Sequence, residues 1–296
     1  MLRGIFPAVL TPFNEDGSVN YQSYEALCEY LADGGVHGVY LCGTTGEFPF
    51  LTVEERKKLA EHAISKVGNR VTVLVQVGAN ALQPTIELAQ HAQKAGAKGC
   101  GIIAPYFFAY DEVSLFRYYS AVLESVPDFP VLLYNLPGRT GVNLSLVLVE
   151  RLRAKHKNLV GIKESGSFDN IKAWLTLQDD NFRVFCGIDE FEYASFREGA
   201  RAIVASFGNW LPHTFRKFVD AVDSGDWETA RTCQNRIHQL VGPGLVLNQI
   251  AVLKAGLKLR GLPAGHLRCP NRDLGPGEVE ALREILDSLG FLEGDQ

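Results

Sequence analysis

Eight short runs rich in Val, Ile and Leu recur along the chain, with amphipathic stretches between them. They read FPAVLTPF from residue 6, VYLCG from 39, VTVLVQVG from 71, GCGIIAPY from 99, FPVLLYNLP from 129, LVGIKES from 159, FRVFCGID from 182 and ARAIVASFGN from 200. Near-continuous apolar strands are covered on both faces, as in parallel sheets. A parallel partner strand needs a crossover of a dozen or more residues, and the spacing supplies a helix and two loops in each interval. The helix signals are explicit. Thr52 followed by Glu55 reads as a capping box opening a helix that ends at Gly68, and the segment from Gln83 sets Ile86, Ala89 and Ala92 on one face, with Gly96 near its end. Eight such units predict an α/β chain folded as a (β/α)8 barrel, the TIM-barrel architecture.

Past the eighth run, HTFRKFVDAVDSG, WETARTCQNRIHQLVG, LNQIAVLKAGLKLRG and EVEALREILDSLG have helical character. This exceeds the single helix that closes a barrel. The expected division is a barrel over residues 1–223 and a helical extension packed on it over 224–296, since no flexible linker separates them.

Composition narrows the class. With 46% hydrophobic and 21% charged residues and a formal net charge of −5, the chain reads as globular and poorly suited to nucleic acid or an anionic membrane. A small molecule is the expected partner. The first residues, MLRGIFPAVLTPF, lack an uninterrupted apolar core and a cleavage site, so no signal peptide is expected. No apolar run reaches membrane-spanning length. The six cysteines include no C-x-x-C pair, which fits reduced thiols and a cytoplasmic location. Cys42 and Cys186 fall in strand runs and read as small core residues. The seven histidines show no ligand spacing, and no Walker or dinucleotide glycine pattern is present, so neither a metal nor an organic cofactor is expected.

Active sites of such barrels are built at the C-terminal ends of the strands. The sixth run places Lys163 inside an otherwise apolar strand. Burial disfavours a charged amine, and a neutral amine attacks a ketone or aldehyde to form a Schiff base. The alternative is a structural ion pair, although Glu164 points to the opposite face and is poorly placed to supply it. Tyr134, near the end of the fifth run, is either packing or a proton relay beside that amine. GTTGE, residues 43–47, offers the hydroxyls of Thr44 and Thr45 and several N–H groups, suited to a carboxylate or to a capped turn. Arg139 in PGRTG is either a solvated loop residue or a bidentate clamp for a carboxylate.

GTTGE, YNLPGRTG and GIKES, in this order on the second, fifth and sixth runs, resemble the pyruvate-dependent class I lyases related to dihydrodipicolinate synthase and N-acetylneuraminate lyase. The likeness extends over nearly the whole chain, including LTPF near the start, Gly78–Ala81 and the helical tail. It implies that Lys163 forms a Schiff base with pyruvate, that Tyr134 is the general acid/base and that Thr44 passes protons to it. Thr45 with nearby amides would hold the pyruvate carboxylate, and Gly187 and Val204 would line the pocket. Arg139 matches the synthase branch, where an arginine grips the carboxylate of aspartate semialdehyde. The implied activity is therefore 4-hydroxy-tetrahydrodipicolinate synthase, a step of lysine biosynthesis, in a homo-oligomer, dimer or tetramer.

Two positions depart from that pattern. The synthase branch carries, after the proline that ends the fourth strand, a tyrosine that reaches into the neighbouring subunit's site; Phe107 stands there and lacks the hydroxyl, leaving Tyr106 or Tyr110 as substitutes. GEFPFLT also resembles the branch that cleaves 4-hydroxy-2-oxoglutarate, so an aldolase or dehydratase for that acid or for 2-keto-3-deoxy sugar acids is the alternative. A barrel that binds without catalysis is a remoter one. Where lysine-inhibited synthases hold their inhibitor, Val53, Arg56 and Pro84 replace the usual polar set, although Asn80 and Tyr106 remain, and no lysine feedback is expected.

Overall fold

In the computed structural model, side chains are described for residues 2–241 and 248–295, and the backbone for 242–246 as well. The apolar runs form eight strands: β1 Gly4–Pro7, β2 Gly38–Leu41, β3 Thr72–Gln76, β4 Gly99–Ile103, β5 Val131–Asn135, β6 Leu159–Glu164, β7 Arg183–Cys186 and β8 Ala202–Ala205. They pair in parallel in the order β1-β8-β7-β6-β5-β4-β3-β2. A bridge between Ala8 and Tyr40, with the Val9 N–H donating to the Tyr40 carbonyl at 3.0 Å, joins the two ends and closes the ring. The first apolar run reads as one strand to residue 13, but its ladder with β8 stops at Pro7, where the chain crosses over to Tyr40.

Helices α1 Tyr21–Asp33, α2 Val53–Val67, α3 Leu82–Ala95, α4 Glu112–Ser125, α5 Pro137–Thr140, α6 Leu146–Lys155, α7 Phe168–Leu175, α8 Glu192–Arg197 and α9 Pro212–Ser224 fill the crossovers and follow β8. The Thr52–Glu55 capping box opens α2, and Gly96 ends α3 in the left-handed conformation. On α3 the buried face is Thr85, Leu88, Ala89 and Ala92, with Ile86 at its edge.

Strand alternation divides the core in two. Ile5, Val39, Val73, Leu133, Ile162 and Ile203 face outward into the layer beneath the helices. Phe6, Tyr40, Leu74, Leu132, Phe185 and Val204 cluster separately and fill the barrel interior. Glycines on the inner face make room for the aromatics: a Cβ on Gly101 would lie 2.1 Å from the Tyr40 hydroxyl oxygen. Lys163 has the inward parity, so it rises from an apolar plug toward the open end of the barrel.

The remaining helices are α10 Trp227–Val246, α11 Gln249–Leu259 and α12 Pro276–Ser288. Among the described residues, no helix is long and apolar enough to cross a membrane. Lys254 of α11 is fully buried, and its Nζ donates to Glu47 Oε1 at 2.7 Å, to the Thr11 carbonyl at 2.7 Å and to the His266 carbonyl at 2.6 Å. Burial pulls its ammonium down and the Glu47 carboxylate pulls it back. Glu47 is also fully buried on its side chain and accepts from Asn271 Nδ2 at 3.1 Å. The C-terminal helices thereby grip the loop after β2 through a charge pair that water cannot screen.

Removing one partner of a buried ion pair leaves the other uncompensated. Lys254→Ala is expected to lower stability by about 3–5 kcal/mol in urea unfolding. Lys258→Ala, on the same helix but paired at the surface with Asp273 at 4.0 Å, is expected to change it by no more than about 0.5 kcal/mol.

Candidate active site

At the C-terminal ends of the strands opens a cavity of about 850 Å³. Lys163 of β6 lies opposite Tyr134 of β5 in the parallel register, and its Nζ sits 3.7 Å from the Tyr134 ring centroid. The lysine is 5% exposed, enough for a small molecule in the cavity to meet its nitrogen. That Nζ donates to Ser165 Oγ at 2.7 Å, and the serine hydroxyl donates to the Gly187 carbonyl at 2.9 Å. Glu164 is not its partner. The glutamate faces outward, fully buried, and accepts from Asn135 Nδ2 at 2.7 Å and Trp174 Nε1 at 2.6 Å.

Tyr134 and Thr44 hydroxyls are 3.2 Å apart. Burial alone pushes the phenol up, but the Lys163 charge and hydrogen bonds with Thr44, Lys163 and Ser165 outweigh it, and the net shift is downward. A phenol so placed releases its proton more readily than a free one, which suits a group that passes protons in both directions. Thr45 Oγ1 lies 2.9 Å from Ser206 Oγ. The Ser206 and Phe207 N–H groups donate to the Asp189 carboxylate at 3.2 and 3.4 Å, fixing the turn that carries the serine. Among the described residues, the N–H groups of Thr44 and Thr45 have no acceptor within the chain. They are free to meet an anion. Their loop is held from below by Glu47, whose left-handed backbone, φ 57°, turns the carboxylate down to Lys254.

Arg139 stands exposed on α5 at the cavity rim, and among the described residues its guanidinium has no partner. Val204 projects inward from β8 and Gly187 follows β7; both line the cavity. A Cβ on Gly187 would lie 2.2 Å from Ser165 Oγ and 2.8 Å from Lys163 Nζ, so only glycine leaves both groups where they are. Asp189 and Glu190 line the same wall. Burial raises the Asp189 carboxyl to about 7, with the Glu190 charge adding to the effect.

Phe107 is 86% exposed and stacks edge-on against exposed Phe108 in the loop after β4. Of the two candidate substitutes, Tyr106 lines the cavity and packs on Phe48, whereas Tyr110 does not reach it. Arg56 is buried beneath Phe48, donating to the Gln76 and Gly78 carbonyls at 2.6 and 3.2 Å. Burial pushes the Cys42 thiol up to about 11 and Cys28 to about 12, which keeps both as thiols. Among the described residues, no cluster of His, Cys, Asp and Glu is arranged to hold a metal ion. A second cavity of about 880 Å³ lies at the opposite end, by the strand starts, lined by Lys98, Arg153 and Arg183, and contains none of these groups.

Three residues at the centre escaped sequence reading: Ser165, Ser206 and Asp189. Each lies just beyond a strand end, where Ser and Asp ordinarily read as turn or capping residues. The usable signal for Ser165 was its position two residues after Lys163.

The model of the dihydrodipicolinate synthetase family matches residues 1–289. The chain is 36% identical over 296 residues to 4-hydroxy-tetrahydrodipicolinate synthase of Thermus thermophilus, covering 99% of this chain and 98% of that one. It is 35% identical over 297 residues to the protein of the same name from Methanothrix thermoacetophila, covering 100% and 99%. Among solved structures, YagE, a prophage protein of the dihydrodipicolinic acid synthase family from E. coli in complex with pyruvate, superposes with a TM-score of 0.94 at 32% identity over 98% and 99% of the two chains. A Ruminococcus gnavus sialic acid aldolase mutated at its catalytic lysine gives 0.92 at 26% identity over 98% and 96%.

The crowding at Gly187 generates a direct test. Gly187→Ala must displace Ser165 or Lys163, and a reacting group misplaced by an ångström loses about a hundredfold in rate. The expected result is a loss of about that size in turnover, with the melting temperature checked in parallel.

Proposed function

The chain belongs to the dihydrodipicolinate synthetase family, and on that premise we propose that it is a class I lyase in which Lys163 forms a Schiff base with pyruvate and the resulting enamine adds to aspartate semialdehyde, a 4-hydroxy-tetrahydrodipicolinate synthase. The observation that carries this reading is the buried Lys163 nitrogen against the Tyr134 ring, at the bottom of a cavity whose rim holds an unpartnered arginine. Curated relatives at 36%, 35% and 33% identity over nearly the full chain bear that synthase's name.

In this mechanism the pyruvate carboxylate rests on the free N–H groups of Thr44 and Thr45 and on the Thr45 hydroxyl. The Lys163 nitrogen adds to C2, and the carbonyl oxygen leaves as water after proton transfers through Tyr134 and Thr44. Loss of a C3 proton gives the enamine, whose carbon attacks the aldehyde, and the semialdehyde's own amine then adds to C2 and expels the Lys163 amine, closing the ring and freeing the product. Arg139 binds the aldehyde's carboxylate bidentately, while Gly187 and Val204 shape the pocket wall. The covalent link to Lys163 supplies the electron sink, so the route needs no metal or organic cofactor. We also place the chain in a homo-oligomer. Phe107 and Phe108 stand side by side at 86% and 66% exposure, an apolar pair suited to cover by a second copy.

A second reading has its own observation. Asp189 and Glu190 line the cavity that must admit the second substrate. The Glu190 carboxylate accepts hydrogen bonds from a polyol and repels an anion, which favours an aldolase acting on a 2-keto-3-deoxy sugar acid. The missing hydroxyl at Phe107 points the same way.

Coupled assays separate the two. The first reading predicts turnover of pyruvate with aspartate semialdehyde, and a fall of at least about a hundredfold in kcat/KM for the aldehyde in Arg139→Ala as a charge-assisted bidentate contact is lost. Faster release of pyruvate from a 2-keto-3-deoxy sugar acid, unaffected by Arg139→Ala, would select the second.

A further inference from the structure

We propose that Ser165 is a positioning residue for the Schiff base, an acceptor that holds the Lys163 nitrogen by one N–H from the free amine through to the iminium. The inference rests on the Schiff-base reading above and adds a part to it.

The direction of the bonds is fixed by chemistry. The Gly187 carbonyl can only accept, so the single Ser165 proton is committed to it across 2.9 Å. The Ser165 lone pairs are then left facing Lys163, and the contact at 2.7 Å has Nζ as donor. The carbonyl is itself held, because the Gly187 N–H donates to the Glu164 carbonyl at 2.8 Å and ties the ends of β6 and β7 together. The absence of a Cβ at Gly187 is what allows the approach. One N–H of the amine is thus pinned to one side of the barrel mouth, with the Tyr134 ring 3.7 Å from Nζ.

The hydrogen count runs through the reaction. A neutral amine carries two hydrogens. When Nζ bonds to C2 of the 2-oxo acid, one of them and one proton drawn from the site leave with the carbonyl oxygen as water. The other remains on the iminium as its only N–H. That hydrogen has Ser165 Oγ as an acceptor already in place, and it is the same hydrogen that the serine held in the free enzyme. A hydrogen bond to a charged donor is stronger than one to a neutral donor, so the contact strengthens as the iminium forms.

The test compares wild type, Ser165→Ala and Ser165→Thr at equal melting temperature. The readout is the rate of borohydride-trapped adduct at Lys163 with pyruvate alone, together with KM and kcat for pyruvate in the full reaction. Loss of one hydrogen bond to a charged group predicts a trapping rate about ten- to a hundredfold lower in Ser165→Ala, expressed in kcat more than in KM. In Ser165→Thr, which keeps the hydroxyl, the rate is expected to return toward wild type. A Ser165→Ala protein that traps pyruvate at the wild-type rate overturns the proposal, as does a Ser165→Thr protein as slow as Ser165→Ala. If wild type itself forms no adduct, the Schiff-base reading fails first and this inference falls with it.

Discussion

The pairing of Tyr134 with Lys163 across adjacent parallel strands is the constraint from which the site follows. Register and alternation together decide it. Shifting β6 by one residue would send the lysine out beneath the helices and bring Ile162 or Glu164 into the barrel, and the same shift of β5 would turn Tyr134 away from it. Once Lys163 points inward it requires an acceptor, an open neighbour and a way out for protons, because a polar nitrogen among apolar side chains is costly without partners. Ser165, Gly187 and the Tyr134–Thr44 pair meet these needs, and each comes from a different strand end. The site is thus the barrel's own answer to burying one amine.

The second support lies far off in sequence. Glu47 and Lys254 are 207 positions apart, yet their side chains meet at 2.7 Å with both fully shielded from water. The pair anchors the loop that presents Thr44 and Thr45, and it ties that loop to a helix lying beyond the eight units that a barrel needs. Trp210, after β8, adds to this by donating its indole N–H to the Leu253 carbonyl at 2.8 Å. The C-terminal helices act as a clamp on the loops at the catalytic end of the barrel.

Much of this was legible in the chain. The eight apolar runs, the Thr52 capping box and the parity of Lys163 depend on local patterns, and local patterns survive folding when both strand faces are buried. Lys163, Tyr134, Thr44, Thr45, Arg139, Gly187 and Val204 do converge on one cavity, a placement that the motifs suggested and the strand order explains. What stayed hidden depends on long-range contact. Nothing in GTTGE marks Glu47 as the partner of a lysine in α11, and Ser165, Ser206 and Asp189 resemble ordinary loop residues until the strands place them side by side. The first strand was overread because buried residues 8–13 look like a strand while bonding differently.

The central claim is that Lys163 is kept inside the barrel for covalent chemistry. Borohydride reduction of the protein with pyruvate, followed by intact-mass and peptide mass spectrometry, tests it most directly. The account predicts one reduced pyruvate adduct per chain, on the peptide containing Lys163 and absent from Lys163→Ala. An unmodified protein, or an adduct that persists in Lys163→Ala, would make Lys163 a structural residue and contradict the account.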